Sequence, residues 1–412
     1  MSSLSIVKSK PGFYENVVLN ALQKMNKGSL SLTLPGGEQI CIGEARAKIS
    51  ATLIIKHNDF FKSLVLYGDI GFGEAYVDGL WETDHITALI KWVLLNIENA
   101  PSVSGSKAKT LGLNIFKWIN RVYHNGRSNS ISGSRKNISA HYDLNNAFFA
   151  TFLDDTMTYS SGYFYIPETS LLDAQHAKYK RLCEQLHLKS TDHVLEIGSG
   201  WGGNAIYMAR NYGCRVTSVT ISVEQQKLAM ERVAAAGLSD QIEIVIRDYR
   251  DIKGKYDKIV SIEMLEAVGH NYYKTYFSKC NEVLADHGIL ALQVITSPDS
   301  RYDSLRKGVD WIQKHIFPGS LLPSVAKINE AINATGDLTM VDLKDMGLDY
   351  AKTLNLWFEQ FNRNAALVKS LGFDERFIRK WRYYFNYCEA AFAMRNIHVM
   401  QMVYTRPNNT GR

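Results

Sequence analysis

The sequence predicts an α/β protein: an open, mostly parallel sheet flanked by helices, preceded by a small α+β unit. Three observations carry that expectation. Between residue 141 and about residue 271, short apolar runs bounded by turn residues alternate with helical patterns. The first such run opens into a glycine-dense loop, DHVLEIGSGWGG (192–203), suited to joining a strand's carboxyl end to a helix. Residues 1–100 read differently, mixing short strand-like runs such as LSLTL (30–34) with a Gly-rich stretch (68–79) and an apolar helical pattern from Asp84 onward.

Taken in order, residues 1–100 form the small unit. Residues 101–140 turn to Ser, Gly, Asn, Lys and Arg and end in RSNSISGSRKNISA, the composition of a flexible basic linker. Residues 141–412 hold the sheet and a carboxyl-terminal stretch dense in aromatics, for most of which core packing is the ordinary role. No internal repeat is visible.

Composition bounds the function. With 412 residues, 46% hydrophobic and 21% charged, the chain can bury a large core. The best apolar run, residues 86–97, is short for a membrane span and is interrupted by Lys91. The amino terminus has no signal-peptide apolar region, so a cytoplasmic location is expected. Five dispersed cysteines (Cys41, Cys183, Cys214, Cys280, Cys388) suggest neither a disulfide framework nor a zinc site, and no metal is expected. The net charge of +6 would attract an anionic lipid surface, at about 1 kcal/mol per basic residue close to it. The basic residues are scattered and no recognition module stands out, so no nucleic acid is expected as a partner.

The glycine loop points to a ligand. Gly198, Gly200 and Gly203 let the backbone turn sharply and let a ligand lie against the main chain. A dinucleotide binder should carry an acid at the end of the next strand, about 20 residues on. Here that strand, CRVTSVTIS (214–222), ends on hydroxyls, with Gln225 opening a helix. The third strand, 242–246, runs into Asp248 and Tyr249, an acid and a ring suited to an exocyclic amine and a purine face.

Several strings together are more specific than any one: HYDLNNAFFATFLDDTMTYSSGYF (141–164), VLEIGSGWGG (194–203), VTSVTISVEQ (216–225), RDYRD (247–251), MLEAVG (264–269), IFPGSLLPS (316–324) and GLDYAKTLNLW (347–357). In this order they resemble the cyclopropane fatty acid synthase family, from residue 141 to about 406. GDIGFGEAYVDGLWE (68–82) resembles the small amino-terminal domain of its longer members, which implies a lipid-interacting role for residues 1–100. The resemblance implies a Rossmann-like class I methyltransferase sheet, S-adenosylmethionine as methyl donor, and the cis double bond of an unsaturated acyl chain in membrane phospholipid as acceptor. It also implies a peripheral position at the inner membrane face and a homodimer. By matched motif position, Tyr159 and Ser160 serve the methionine part, Gly198 and Gly200 lie beneath it, Thr220 and Gln225 reach the ribose, and Asp248 and Tyr249 frame adenine.

An alkene is a poor nucleophile, so its methylation needs a dry site that stabilises a carbocation; aromatic faces suit that need, and the aromatic-rich part of residues 141–412 is expected to bind the acyl chain. Closing a cyclopropane then requires a base. The resemblance implies a bound bicarbonate ion, with Glu266 and Tyr350 as side-chain partners, Ser161 and Ile295 lending backbone contacts, and Gln293 as a substitute partner. Three departures stand out: Ser161 replaces the more usual Cys, Ala267 a His, and Gln293 a bicarbonate-binding His. An amide cannot shuttle a proton as imidazole does. A methylene or methyl-branched product from the same substrates therefore stands beside the cyclopropane. N-methylation of a small amine and a non-catalytic lipid-binding role are the competing readings.

Overall fold

The computed structural model describes residues 12–44, 46–98 and 145–410. The expected linker, 101–140, lies outside them. The chain divides into two compact units, Met1–Asn120 and Arg121–Arg412.

In the first unit, β1 (Ser29–Thr33) pairs antiparallel with β2 (Gln39–Gly43) and parallel with β3 (Ser50–Ile55), and β4 (Trp81–Glu82) closes the order β2-β1-β3-β4. Strand β3 alternates exposed and buried residues, as a sheet with one covered face requires. Ala51, Leu53 and Ile55 are buried, as are Phe60, Phe61, Trp81 and Trp92. The Gly-rich stretch folds as the helix Asp69–Val77, and a Cβ on its Gly71 would lie 2.2 Å from the Ser63 carbonyl oxygen of the preceding helix, Asp59–Tyr67. That close approach is what the glycine serves.

The second unit is a seven-stranded sheet of β5 (His193–Ile197), β6 (Arg215–Thr220), β7 (Ile242–Ile246), β8 (Tyr256–Ile262), β9 (Leu284–Thr296), β10 (Thr339–Asp345) and β11 (His398–Thr405), in the order β10-β11-β9-β8-β5-β6-β7. β7 through β9 are parallel, and β11 and β10 add antiparallel. Near-continuous apolar runs follow from cover on both faces. Leu195, Ile259 and Leu290 pack into one core beneath the helices Tyr273–Val283 and Val325–Asn333. Val194, Val260 and Ala291 pack into the other, with the helices Leu171–Leu186, Gly203–Tyr212 and Val223–Ala235. Each fully buried aliphatic side chain contributes roughly 1.5–3 kcal/mol. The strand order reverses at β5, so the carboxyl ends of β5, β6 and β8 border a crevice. Of the predicted site residues, Gly198, Gly200, Thr220, Gln225 and Glu266 lie at or just past those ends.

Candidate active site

The loop after β5 is held by two bonds from Gly198 N–H and Ser199 N–H to the Val219 carbonyl, at 3.0 and 3.1 Å. Gly198, Gly200 and Gly202 all take positive φ (99°, 48° and 84°), a region costly for other residues. Gly202 caps the next helix in the left-handed region, a requirement not read from the sequence. Gly203 has ordinary φ but no room: a Cβ there would meet the Thr156 carbonyl oxygen at 2.9 Å. Beside Gly200 a Cβ would meet nothing within 4 Å, so the loop leaves open space at the strand end.

Beneath the loop, Glu196 is buried and accepts from Asn204 Nδ2 at 2.8 Å and from the Ser218 hydroxyl. Burial pushes its pKa up to about 7, against those two bonds. Because the folded value lies above the unfolded one, the stability this proton confers is present below about pH 4.5 and is lost as pH rises towards 7, at most about 3 kcal/mol. Unfolding midpoints of Glu196→Gln should therefore fall less between pH 5 and pH 8 than those of the parent protein. An equal fall would count against this account.

At the end of β6, Thr220 Oγ1 donates to Gln225 Oε1 at 2.9 Å, and Ser222 caps the following helix by accepting from Gln225 N–H. With its oxygen so engaged, the Gln225 amide has N–H donors suited to ribose hydroxyls. At the end of β7, Asp248 is buried and takes a two-point contact from Arg250 (Nε 2.8 Å, NH2 2.9 Å), while that guanidinium also lies 5.2 Å from the Tyr249 ring centroid. The sequence reading missed Arg250. A carboxylate offers about four lone-pair sites, so Asp248 can still accept from an exocyclic amine.

A third wall is the segment carrying Tyr159, Ser160 and Ser161. Gln175 Nε2 donates to the Ser160 carbonyl at 3.0 Å, and Gly162 N–H donates to Thr353 Oγ1 at 3.0 Å. Tyr159 donates to the Tyr384 hydroxyl at 3.0 Å and sits among Phe149, Trp357 and Phe317, with ring centroids 5.4, 5.3 and 6.2 Å away. Lys178, fully buried, donates to Ser160 Oγ at 2.7 Å and to Gln175 Oε1 at 2.6 Å.

Ser161, Gln293, Ile295 and Tyr350 converge, with Glu266, on the ends of β8 and β9, together with Glu263. Ser161 N–H donates to Glu263 Oε1 at 3.0 Å, Gln293 Nε2 donates to the same oxygen at 2.8 Å, and the Tyr350 hydroxyl also bonds Glu263. Ile295 N–H donates to Glu266 Oε1 at 2.5 Å, while Glu266 Oε2, buried, has no hydrogen-bond partner among the described residues. A cofactor loop open at its glycine thus stands at the same sheet edge as two carboxylates, the half-buried Glu263 and the buried Glu266.

Comparison with known proteins assigns this arrangement. The family described as Mycolic acid cyclopropane synthetase matches residues 129–402. The chain belongs to this family. It is 36% identical over 400 residues to the tuberculostearic acid methyltransferase UfaA1 of Mycobacterium tuberculosis, covering 94% of this chain and 91% of that one. It is 38% identical over 364 residues to the cyclopropane-fatty-acyl-phospholipid synthase of Escherichia coli strain K12, covering 88% and 89%. Among solved structures, the cyclopropane synthase MmaA2 of Mycobacterium tuberculosis superimposes with a TM-score of 0.62 at 26% identity, over 66% of this chain and 98% of that one. The mycolic acid cyclopropane synthase CmaA1, complexed with SAH and CTAB, gives 0.61 at 28%, over the same shares. The expected Rossmann-like class I methyltransferase sheet is therefore present, and the chain is an S-adenosylmethionine-dependent C-methyltransferase.

As a synthetase-family site it fits the methyl donor. The space beside Gly200, the hydroxyl and amide at Thr220 and Gln225, and the acid and ring at Asp248 and Tyr249 suit its methionine, ribose and adenine parts. Bicarbonate is different. The Ser161, Gln293, Ile295 and Tyr350 donors expected to hold it already serve Glu263 or Glu266, which leaves only the Glu266 acid group for a further anion, a poor fit. Burial, then the neighbouring Glu263 charge, push the Glu266 pKa up to about 8, so near neutrality that group is mostly the uncharged acid. Glu263 is raised by burial too, but the Gln293, Ser161, Lys178 and Tyr350 contacts oppose the rise. Burial lowers Lys178 to about 7, resisted chiefly by Glu263.

Sequence reasoning missed Glu263, Lys178, Arg181 and Gln401. For Lys178 a signal existed: it shares a helical face with Ala174 and Leu182, and a lysine on an apolar stripe calls for a reason. Among the described residues no group of His, Cys, Asp and Glu could hold a metal ion, and no helix is long and apolar enough to cross a membrane.

Proposed function

We propose that this enzyme transfers a one-carbon unit from S-adenosylmethionine to the cis double bond of unsaturated acyl chains in membrane phospholipid, forming cyclopropane fatty acids. Family membership supports modification of lipid acyl chains in general. One observation supports the finer reading: two hydrogen-bonded carboxylates, Glu263 and Glu266, lie near a group of packed rings, Tyr159, Phe317, Tyr350, Trp357 and Phe392, suited to taking a proton in a water-poor site.

The donor supplies an electrophilic methyl on a sulfonium. Around it, Gly198 and Gly200 admit the methionine part to the backbone, Tyr159 and Ser160 border it, Thr220 and Gln225 bind the ribose, and Asp248 and Tyr249 bind adenine. The aromatic rings exclude water and face the cation that forms on the acyl chain, each contributing roughly 0.5–2 kcal/mol. Residues 1–100 and the basic segment that follows favour a bilayer surface, with the enzyme peripheral at the inner membrane face and working as a homodimer.

A second reading, a methylene- or methyl-branched product, draws support from the likeness to a tuberculostearic acid methyltransferase across nearly the whole chain and from Gln293 in place of His. The test is to incubate the enzyme with labelled S-adenosylmethionine and oleoyl-phospholipid vesicles, then determine product mass and resistance to hydrogenation. A cyclopropane gains one carbon and survives mild hydrogenation, whereas a methylene is reduced. Label in an added free amine and none in lipid would overturn the proposal in favour of N-methylation. The likeness to coclaurine N-methyltransferase, at 18% identity, shows only the shared fold.

A further inference from the structure

We infer that Glu263 is the proton acceptor of this site, taking the place expected for bicarbonate, and that Arg181, Gln401 and Gln293 form a positioning relay that turns an amide N–H onto it. The inference rests on the acyl-chain reading above. It starts from where the donors go: Ser161 N–H and Gln293 Nε2 both meet Glu263 Oε1, and Tyr350 binds the same side chain. A free anion would find only the Glu266 acid proton unshared and would lie against the Glu263 carboxylate, a like-charge contact.

The direction of the relay is set from its far end. Asp342 Oδ1 holds Arg181 NH2 at 2.5 Å, and Arg181 NH1 donates to Gln401 Oε1 at 2.8 Å. A guanidinium only donates, so this contact fixes which way the Gln401 amide points. Gln401 Nε2 must then donate to Gln293 Oε1, at 2.9 Å, and Gln293 Nε2 to Glu263 Oε1, at 2.8 Å. β-sheet register supports the sequence, since Gln401 of β11 lies directly opposite Gln293 of β9. Gln293 therefore presents N–H, never a lone pair, to Glu263. It favours the carboxylate and carries no proton away.

The backbone also marks the position. Glu263 has φ +49°, a left-handed conformation unfavourable for a non-glycine residue and held by its surroundings. The other titratable groups around the carboxylate are Glu266 from the same turn, Lys178 from the helix Leu171–Leu186, and Tyr350, with Tyr384 and Asp154 further out.

The step balances as follows. The S–CH3 bond breaks as a C–C bond forms to one olefinic carbon, leaving a neutral thioether and a cation on the other carbon. Glu263 takes a proton from the new methyl group, and the freed C–H electron pair closes the ring. Glu263 is then a neutral acid that returns its proton to solvent before the next turnover.

The full chain would be assayed with labelled S-adenosylmethionine and oleoyl-phospholipid vesicles, in buffer stripped of carbon dioxide and in buffer with added bicarbonate. The wild type should turn over at the same rate, within about twofold, in both. Glu263→Gln should lose on the order of 100-fold or more in kcat while calorimetry shows S-adenosylmethionine still bound. Glu263→Gly frees the donors, so added bicarbonate should restore turnover to it alone. Gln401→Met removes the relay's donor ordering and should move the acidic limb of the kcat–pH profile upward by about half a unit or more, with KM for lipid unchanged. Bicarbonate-dependent labelling of lipid by the wild type, or full activity of Glu263→Gln, would overturn the inference alone. No labelled lipid from the wild type in either buffer would overturn the acyl-chain reading and this inference with it.

Discussion

Gly200→Val is expected to weaken S-adenosylmethionine binding by about a thousandfold or more, on the order of 4 kcal/mol, while the protein stays folded. The argument rests on what surrounds the position. A Cβ at Gly200 meets no protein atom within 4 Å, so the side chain would extend into the space beside the loop without colliding with the protein. The protein itself would pay only the left-handed backbone penalty at φ +48°, on the order of 1–2 kcal/mol. A cofactor lying against the loop would collide with the whole isopropyl group. Gly203→Val supplies the contrast, because there a Cβ already meets the Thr156 carbonyl oxygen at 2.9 Å and the Tyr179 hydroxyl at 3.0 Å. It should lower the unfolding midpoint as well as affinity. Calorimetry of both variants beside thermal unfolding checks the pair. Retained affinity in Gly200→Val would place the cofactor elsewhere.

The parts of this site that were legible in the sequence are those set by local chemistry. Glycines at a strand end, hydroxyls closing β6 and an Asp-Tyr pair closing β7 each announce themselves within a few residues, and the structure brings them to one crevice. The glycines of residues 68–79 left their structure open in the sequence, because glycines that permit close helix packing look like glycines that permit a loop. Glu263 was hidden for a different reason. A charged residue just past an apolar strand reads as a solvated end, and only Ser161, 102 positions earlier, and Gln293, 30 positions later, make it a hydrogen-bonded group. Gln401 and Arg181 lie further still from their partners in sequence, 108 and 220 positions. Periodicity and motif spacing report neighbours along the chain; a polar relay across a sheet has no such signature.

The aromatic-rich segment tests the opposite kind of inference, in which an ordinary structural role is the expected one, and Phe148→Ala measures it. Phe148 is fully buried on the short helix Asn146–Phe149, capped by Asn145, whose side chain accepts from Phe148 N–H at 2.9 Å. Its ring meets Phe361, Phe373, Phe377 and Trp381 edge-on, with centroids 6.3, 5.2, 5.2 and 4.7 Å away. These rings come from the helix Gly347–Arg363, the helix Glu375–Ala393 and the residue leading into the latter, so Phe148 ties three stretches of chain together. Truncation removes the transferred area and leaves a cavity that rigid rings cannot collapse to fill, together costing about 3–5 kcal/mol. At this size, that corresponds to a fall of roughly 10 °C or more in Tm of the catalytic unit. S-adenosylmethionine affinity should change far less, because Tyr159 borders this cluster through Phe149, Phe152 and Trp357 and its ring does not stack on Phe148. If instead the rings lined a channel for the acyl chain, truncating Phe148 would alter the preferred chain length and leave Tm almost untouched. Thermal unfolding together with product profiling on vesicles of different acyl length therefore separates a packed core from a substrate wall.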